Sequence, residues 1–339
     1  CIRDRSLSDH RLCAEFSTLA PFRQGPELRS TASIVVVPSA TRGAVADERL
    51  RRRLSRGRVG VEEPAAETLI RVLAVLGRPP PSSGLAALRY FGQTGQHAAG
   101  WIAAADPVHL ETRLRHLVVR RLSEDDVSPS ELAELFETLQ ARLGHDAGLT
   151  FTAAGDRGYV GAASPFATPD MSADMANGRL PDHFAAAGDS TGYHRLLSEV
   201  QMVLHDHAVN QRRQAGGRLP INSLWFWGGG ESAAARREQL PTLIADDPLF
   251  NGHWTHEHCV TAPAAAANQR IPPGQPPFVY VSDHAADGLE IAWRSVCARA
   301  VDEVVVVSTD GLNLVLRPRD RFRFWRAVSP VLEEPASDA

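Results

Sequence analysis

The sequence predicts an α/β fold with a mostly parallel central sheet flanked by helices and interrupted by a loop-rich insertion. Three observations carry this. Residues 33–37 and 304–307 are continuous β-branched runs, the pattern of strands buried on both faces. Between such runs lie segments of helical spacing, among them Leu69, Val72, Leu73 and Leu76. The third is the apolar run of Leu224, Trp225, Phe226 and Trp227, which breaks into Gly228, Gly229 and Gly230. A strand that ends in glycines is where open α/β sheets place their ligand sites.

Composition narrows the class. The chain has 339 residues, 43% of them hydrophobic and 22% charged, enough for a sizeable core in one large domain or two smaller ones. All 36 basic residues are arginine, and the formal net charge is -4. Without a positive surplus, neither nucleic acid nor an anionic membrane is an expected partner. The four cysteines are scattered without a CxxC pair, which favours a reducing, cytoplasmic setting. No apolar run reaches the length of a membrane span.

Taken in order, residues 1–30 are polar and arginine-rich without clear period, and read as a disordered or appended arm. A single α/β domain is expected over 31–330, with a flexible tail at 331–339. After the first strand at 33–38, residues 44–58 form a strongly basic stretch, read as a solvated helix face or loop, with a phosphate-meeting basic helix as the alternative. Helices are expected at 62–76 and 85–91, separated by the turn Arg78-Pro79-Pro80-Pro81. Residues 101–110 read as a second central strand that ends at Asp106-Pro107, placing Asp106 at a strand terminus where it would face a ligand or cap a turn.

Ser128, Pro129 and Glu131 form a helix start with a capping box, followed by an apolar face of Leu132, Leu135, Phe136 and Leu139. Two short antiparallel strands are expected at 149–152 and 158–161. The irregular stretch 164–191 completes the insertion, and long loops of this kind often act as lids. One long helix is expected over 193–213 and another over 233–243. Strands at 278–281 and 304–307, a helix between them, and a hairpin through Asp310-Gly311 complete the pattern.

The polar helix 199–210 carries the candidate chemistry. At steps of three and four, Glu199, Met202, Asp206 and Asn210 share one face. With Asp106, Asn222 and the three glycines, Glu199, Asp206 and Asn210 form the expected ligand-binding set. A purely structural polar network is the alternative. His205 and His207 lie two apart and cannot chelate one metal from a regular helix. His253, His256, His258 and Cys259 are zinc-capable, but no second ligand pair follows, so no metal site is expected. The glycine run is neither GxGxxG nor a P-loop, so no cofactor is expected either. Asp283-His284 after a strand would serve as an acid/base pair or as a helix cap.

The segments 106–110, 199–210 and 220–230 together resemble a bacterial family of RpfE-type regulatory proteins. These are often labelled phosphoglycerate mutase-like and are similar to the cofactor-independent phosphoglycerate mutases. The resemblance covers roughly residues 31–330, the closing 322–326 included. It implies a regulatory or ligand-binding protein with a small-molecule or protein ligand. The mutase label implies instead a phosphoryl-transfer enzyme with an alkaline-phosphatase-like α/β fold, two metal ions and a phosphorylated serine. The sequence departs from that pattern after the first strand, where Val37-Pro38-Ser39 offers a serine with no acid before it, and no spaced Asp/His sets follow.

Overall fold

The computed structural model describes residues 32–41, 44–62, 64, 66–81, 84–113, 116–122, 126–144, 148–173, 191–266 and 277–333. The expected N-terminal arm, most of the C-terminal tail and residues 174–190 of the irregular stretch lie outside them.

A seven-stranded sheet forms the centre. Its strands are β1 (Ser33–Val37), β2 (Arg58–Val61), β8 (Thr242–Ile244), β9 (Thr261–Ala262), β10 (Phe278–Val281), β11 (Val304–Ser308) and β12 (Leu312–Leu316). Their spatial order is β2-β12-β11-β1-β10-β8-β9. The five strands from β11 to β9 run parallel, and β12 and β2 add antiparallel at one edge. β1 is central: Ile34 pairs Val305 on one side and Val279 on the other. Its valines are buried on both faces, as the continuous β-branched run predicts.

One face of this sheet is covered by α1 (Glu48–Leu54) and α8 (Ala285–Cys297), which pack Leu50, Leu54, Leu289, Trp293 and Val296 against Val35 and Val37. The expected basic stretch is thus a short helix with its arginines outward, started by Asp47, whose carboxylate accepts from Arg49 and Leu50 N–H. The other face meets α2 (Thr68–Val75), α3 (Leu85–Thr94) and α7 (Pro248–His256).

Beyond these helices stands a second, antiparallel sheet: β3 (Ile102–Arg113), β4 (His116–Arg121), β5 (Leu149–Ala154), β6 (Arg157–Ala162) and β7 (Ser223–Gly230). Its outer face carries α4 (Pro129–Leu139), α5 (Thr191–His205) and α6 (Ala208–Ala215). The capping box on α4 forms as read, with Ser128 and Glu131 bonding reciprocally.

Three element expectations are corrected. The strand through Asp106-Pro107 does not end there. β3 continues to Arg113, pairing β6 over 102–104 and β4 over 108–113. Residues 105–107 pair only with β7, and a proline is tolerated beside such an open edge. The long helix 193–213 is broken at Asp206, because His207 caps α6 by accepting from Val209 N–H. The helix expected over 233–243 is absent: residues 231–241 have no regular structure. Glu257 accepts from Arg236 and Glu238 N–H, and Arg237 adopts φ 56, so tertiary contacts override helix propensity there.

Candidate functional site

A cavity of about 540 Å3 lies between the two sheets, at the carboxyl ends of the parallel strands. Pro38 follows β1, Ser282, Asp283 and His284 follow β10, Thr309 follows β11, and Asp247 follows β8. The facing wall comes from the antiparallel sheet and α3: Arg89, Asp106, Arg121, Arg157 and Trp227. This is the place where open α/β sheets bind ligands.

Arg89 and Asp106 anchor that wall. Leu85, Leu88 and Arg89 lie on one buried face of α3, which carries the guanidinium into the interior. Arg89 Nη1 is 2.8 Å from Asp106 Oδ1 and donates to Oδ2 at 3.0 Å, while Nη2 donates to Gly158 O at 3.2 Å. The guanidinium lies between the Tyr159 and Trp227 rings, 4.9 and 5.0 Å from their centroids. Trp227 Nε1 also donates to Asp106 Oδ2, at 2.6 Å. Burial alone would lower the Arg89 pKa, but the Asp106 charge reverses this and raises it. Burial pushes the Tyr159 phenol up to about 12, and its hydroxyl donates to Gln93 at 2.7 Å.

At the other end of the cavity α2 begins. Its N-cap is Glu67, whose side chain makes no cap bond. Glu67 Oε2 instead accepts from Ser172 N at 3.0 Å. The Ser172 hydroxyl, in a residue 7% exposed, is buried without a hydrogen-bond partner among the described residues. Asp247 caps α7 by accepting from Phe250 N–H, and burial holds its pKa above the usual carboxylate range. Asp283 and His284 are exposed at the rim. His284 is the N-cap of α8 and makes no side-chain cap bond, so the capping alternative does not hold for it.

The expected ligand-binding set is not brought together. Asp106 lines the cavity, but in mid-strand rather than at a strand end. Glu199, Asp206, Asn210, Asn222 and Gly228 to Gly230 do not line it. Glu199 pairs with Arg195 at 2.9 Å on the surface, and the Asp206 side chain is 92% exposed, since the break after α5 turns it to solvent. Asn210 is buried and fully used: Nδ2 donates to Leu204 O and Ile221 O, and Oδ1 accepts from Ile221 N. Asn222 bonds both backbone groups of Leu110.

The glycines lie inside β7. Gly228 N donates to Pro169 O and Gly229 N to Thr168 Oγ1, and Gly230 pairs with Ile102. Gly228 has φ +62, and a Cβ there would stand 3.0 Å from Ala86 N, so this residue permits the close approach of α3. The run is a strand irregularity spent on packing.

Among the described residues no three His, Cys, Asp or Glu side chains converge to hold a metal ion. With Pro38 after β1 in place of an acid, the described residues do not fit the two-metal centre that the mutase label implies. Arg89 and the Asp247 carboxylate escaped the sequence reading. An arginine at a core-facing step of an otherwise apolar helix was the available signal for the first.

No protein-family model matches the chain. Over part of its length it is similar to curated enzymes. The 2,3-bisphosphoglycerate-independent phosphoglycerate mutase of Methanosarcina barkeri is 27% identical over 170 residues, 47% of this chain and 41% of that protein. A probable enzyme of the same name from Geobacter sulfurreducens is 26% identical over 199 residues, 52% of this chain and 47% of that protein. The match thus spans less than half the length of these relatives, and about half of this chain. Among solved structures, the PH0037 protein from Pyrococcus horikoshii aligns over 85% of this chain and 87% of its own, at TM-score 0.45 and 12% identity. The cofactor-independent phosphoglycerate mutase from Thermoplasma acidophilum aligns over 84% and 89%, at TM-score 0.33 and 16% identity.

Proposed function

We propose that this chain is a mutase-related binding protein, regulatory in the RpfE sense, that takes a small phosphorylated acid into the cavity between its sheets. The cavity's far end carries the reading: the Ser172 hydroxyl, buried without a hydrogen-bond partner among the described residues, lines it. A buried hydroxyl of this kind needs an acceptor, and an anionic group supplies one. The arginines of the facing wall add positive charge, although Arg89 pairs with Asp106 and Arg157 with Asp156 at 3.4 Å. The similarity to enzymes named for phosphoglycerate supports the ligand class.

Calorimetric titration with 3-phosphoglycerate checks this. Binding is expected, with Ser172→Ala and Arg157→Gln each weakening it about tenfold, the worth of one hydrogen bond to a charged group. Absence of binding to the unaltered protein would sink the reading. The relatives' names favour a second reading, a phosphoryl-transfer enzyme. Turnover of a phosphorylated substrate that depends on added divalent metal would establish it over the first.

A further inference from the structure

The turn between β11 and β12 carries a carboxylate with five donors. Asp310 Oδ2 accepts from Ser39 Oγ at 2.7 Å, Ala40 N at 3.0 Å, Thr41 N at 2.8 Å and Thr41 Oγ1 at 2.6 Å. Its Oδ1 accepts from the Ser308 hydroxyl. Four of the five donors sit on the loop that leaves the carboxyl end of β1. Two successive backbone N–H groups and two hydroxyls converging on one point are the donor set of an oxyanion cradle.

A second observation lies beside it. Arg71 Nη1 donates to Ser308 O at 2.6 Å, but its Nη2 is buried with no hydrogen-bond partner among the described residues. A carboxylate has two oxygens, and both are engaged elsewhere. A tetrahedral oxyanion has more acceptors to offer. Pro38 and Thr309 flank the cradle in sequence and line the inter-sheet cavity, so the two adjoin.

We propose that the loop 39–41 is an oxyanion-binding site closed by Asp310, an internal ligand standing where a phosphate group would sit. The chain supplies its own anion across the sheet, which ties the loop after β1 to the β11–β12 turn. Displacement of that side chain would free the loop and the turn together. This site is separate from the ligand reading of the cavity and does not depend on it.

Chemical rescue tests the idea on the full chain. Asp310→Ala should melt about 5 °C or more below the unaltered protein in sodium chloride. In sodium phosphate of matched ionic strength, tens of millimolar, it should regain about half of that loss, while the unaltered protein shows no comparable gain. Thr41→Val added to Asp310→Ala should diminish the recovery. Making the same comparison in an Arg157→Gln background separates the cradle from the cavity: rescue that persists there belongs to the loop, whatever becomes of the cavity ligand. Equal phosphate responses in variant and unaltered protein would overturn the proposal. If Asp310→Ala does not fold in chloride, its refolding yield becomes the readout. A yield that rises with phosphate supports the site, and a yield indifferent to phosphate removes it.

Discussion

Among the described residues, the buried imidazole of His253 is expected to make a larger contribution to acid sensitivity than the surface ion pairs. His253 is buried on α7, and desolvation lowers its pKa to about 4, against the raising effect of Glu257 and with the charges of His256 and Arg236 adding to the lowering. A histidine whose folded pKa lies below its unfolded value near 6.5 binds its proton more readily when the chain is unfolded. Stability is therefore lost as pH falls from about 6.5 to about 4, by an amount on the order of 3 kcal/mol. Asp310 and Glu257 have lowered carboxylate pKa values, so their contributions are lost as pH falls from the ordinary carboxylate range through their lowered values. Asp247 is raised and opposes this trend near its own titration. Urea unfolding of the unaltered protein and of His253→Gln at pH 7, 5.5 and 4.5 is expected to show a pH slope in the first and a much flatter one in the second. At this scale the sequence disclosed residue types and not partners. Asp106 was legible as an acid in an apolar run. That its charge is matched by Arg89, 17 positions away on another element, follows only from how α3 crosses β3.

Elements were legible where local pattern and tertiary demand agree. β1, β10 and β11 follow from their apolar runs, and α4 from its cap. The failures lie where a distant group decides. Glu257 holds 236–238 out of a helix, and the irregularity in β7 opposite residues 102–104 absorbs glycines that read locally as part of a ligand site. The contact of α3 with α7 was equally hidden, although both helices carry a glycine in mid-course. A Cβ on Gly92 would stand 1.9 Å from Pro248 O and 2.5 Å from Gly252 N, and one on Gly252 would stand 1.8 Å from Leu88 O. The helices meet backbone to backbone, with no side chain able to yield. Gly92→Ala would gain helix propensity of about 1 kcal/mol in isolation. Here it is expected to destabilise by about 3 kcal/mol instead, since overpacking a tight contact forces the backbones apart. A denaturation midpoint at or above that of the unaltered protein would show that the helices can slide.

At the scale of the molecule, the two sheets share one core. The cluster that joins them takes Val36, Val281 and Val307 from the seven-stranded sheet, Ala104, Trp225 and Trp227 from the five-stranded one, and Leu73, Leu88 and Trp254 from the helices between. Neither sheet can bury that face alone, because α2, α3 and α7 each present apolar side chains into the shared layer. A chain of this length would ordinarily be suspected of unfolding in parts. The shared layer argues for one cooperative unit. Scanning calorimetry is expected to show one transition whose van't Hoff and calorimetric enthalpies agree. Two resolved transitions, or a soluble folded fragment from residues 101–230 alone, would mean that the inter-sheet layer is an interface between separable units. The cavity would then lie at that interface, and ligand would raise the melting of both parts. In a single unit it raises one transition, by an amount set by RT ln(1 + [L]/Kd), about 2.7 kcal/mol at a ligand concentration of a hundred times Kd. The position of the cavity between the sheets therefore makes ligand titration a probe of the architecture as well as of the site.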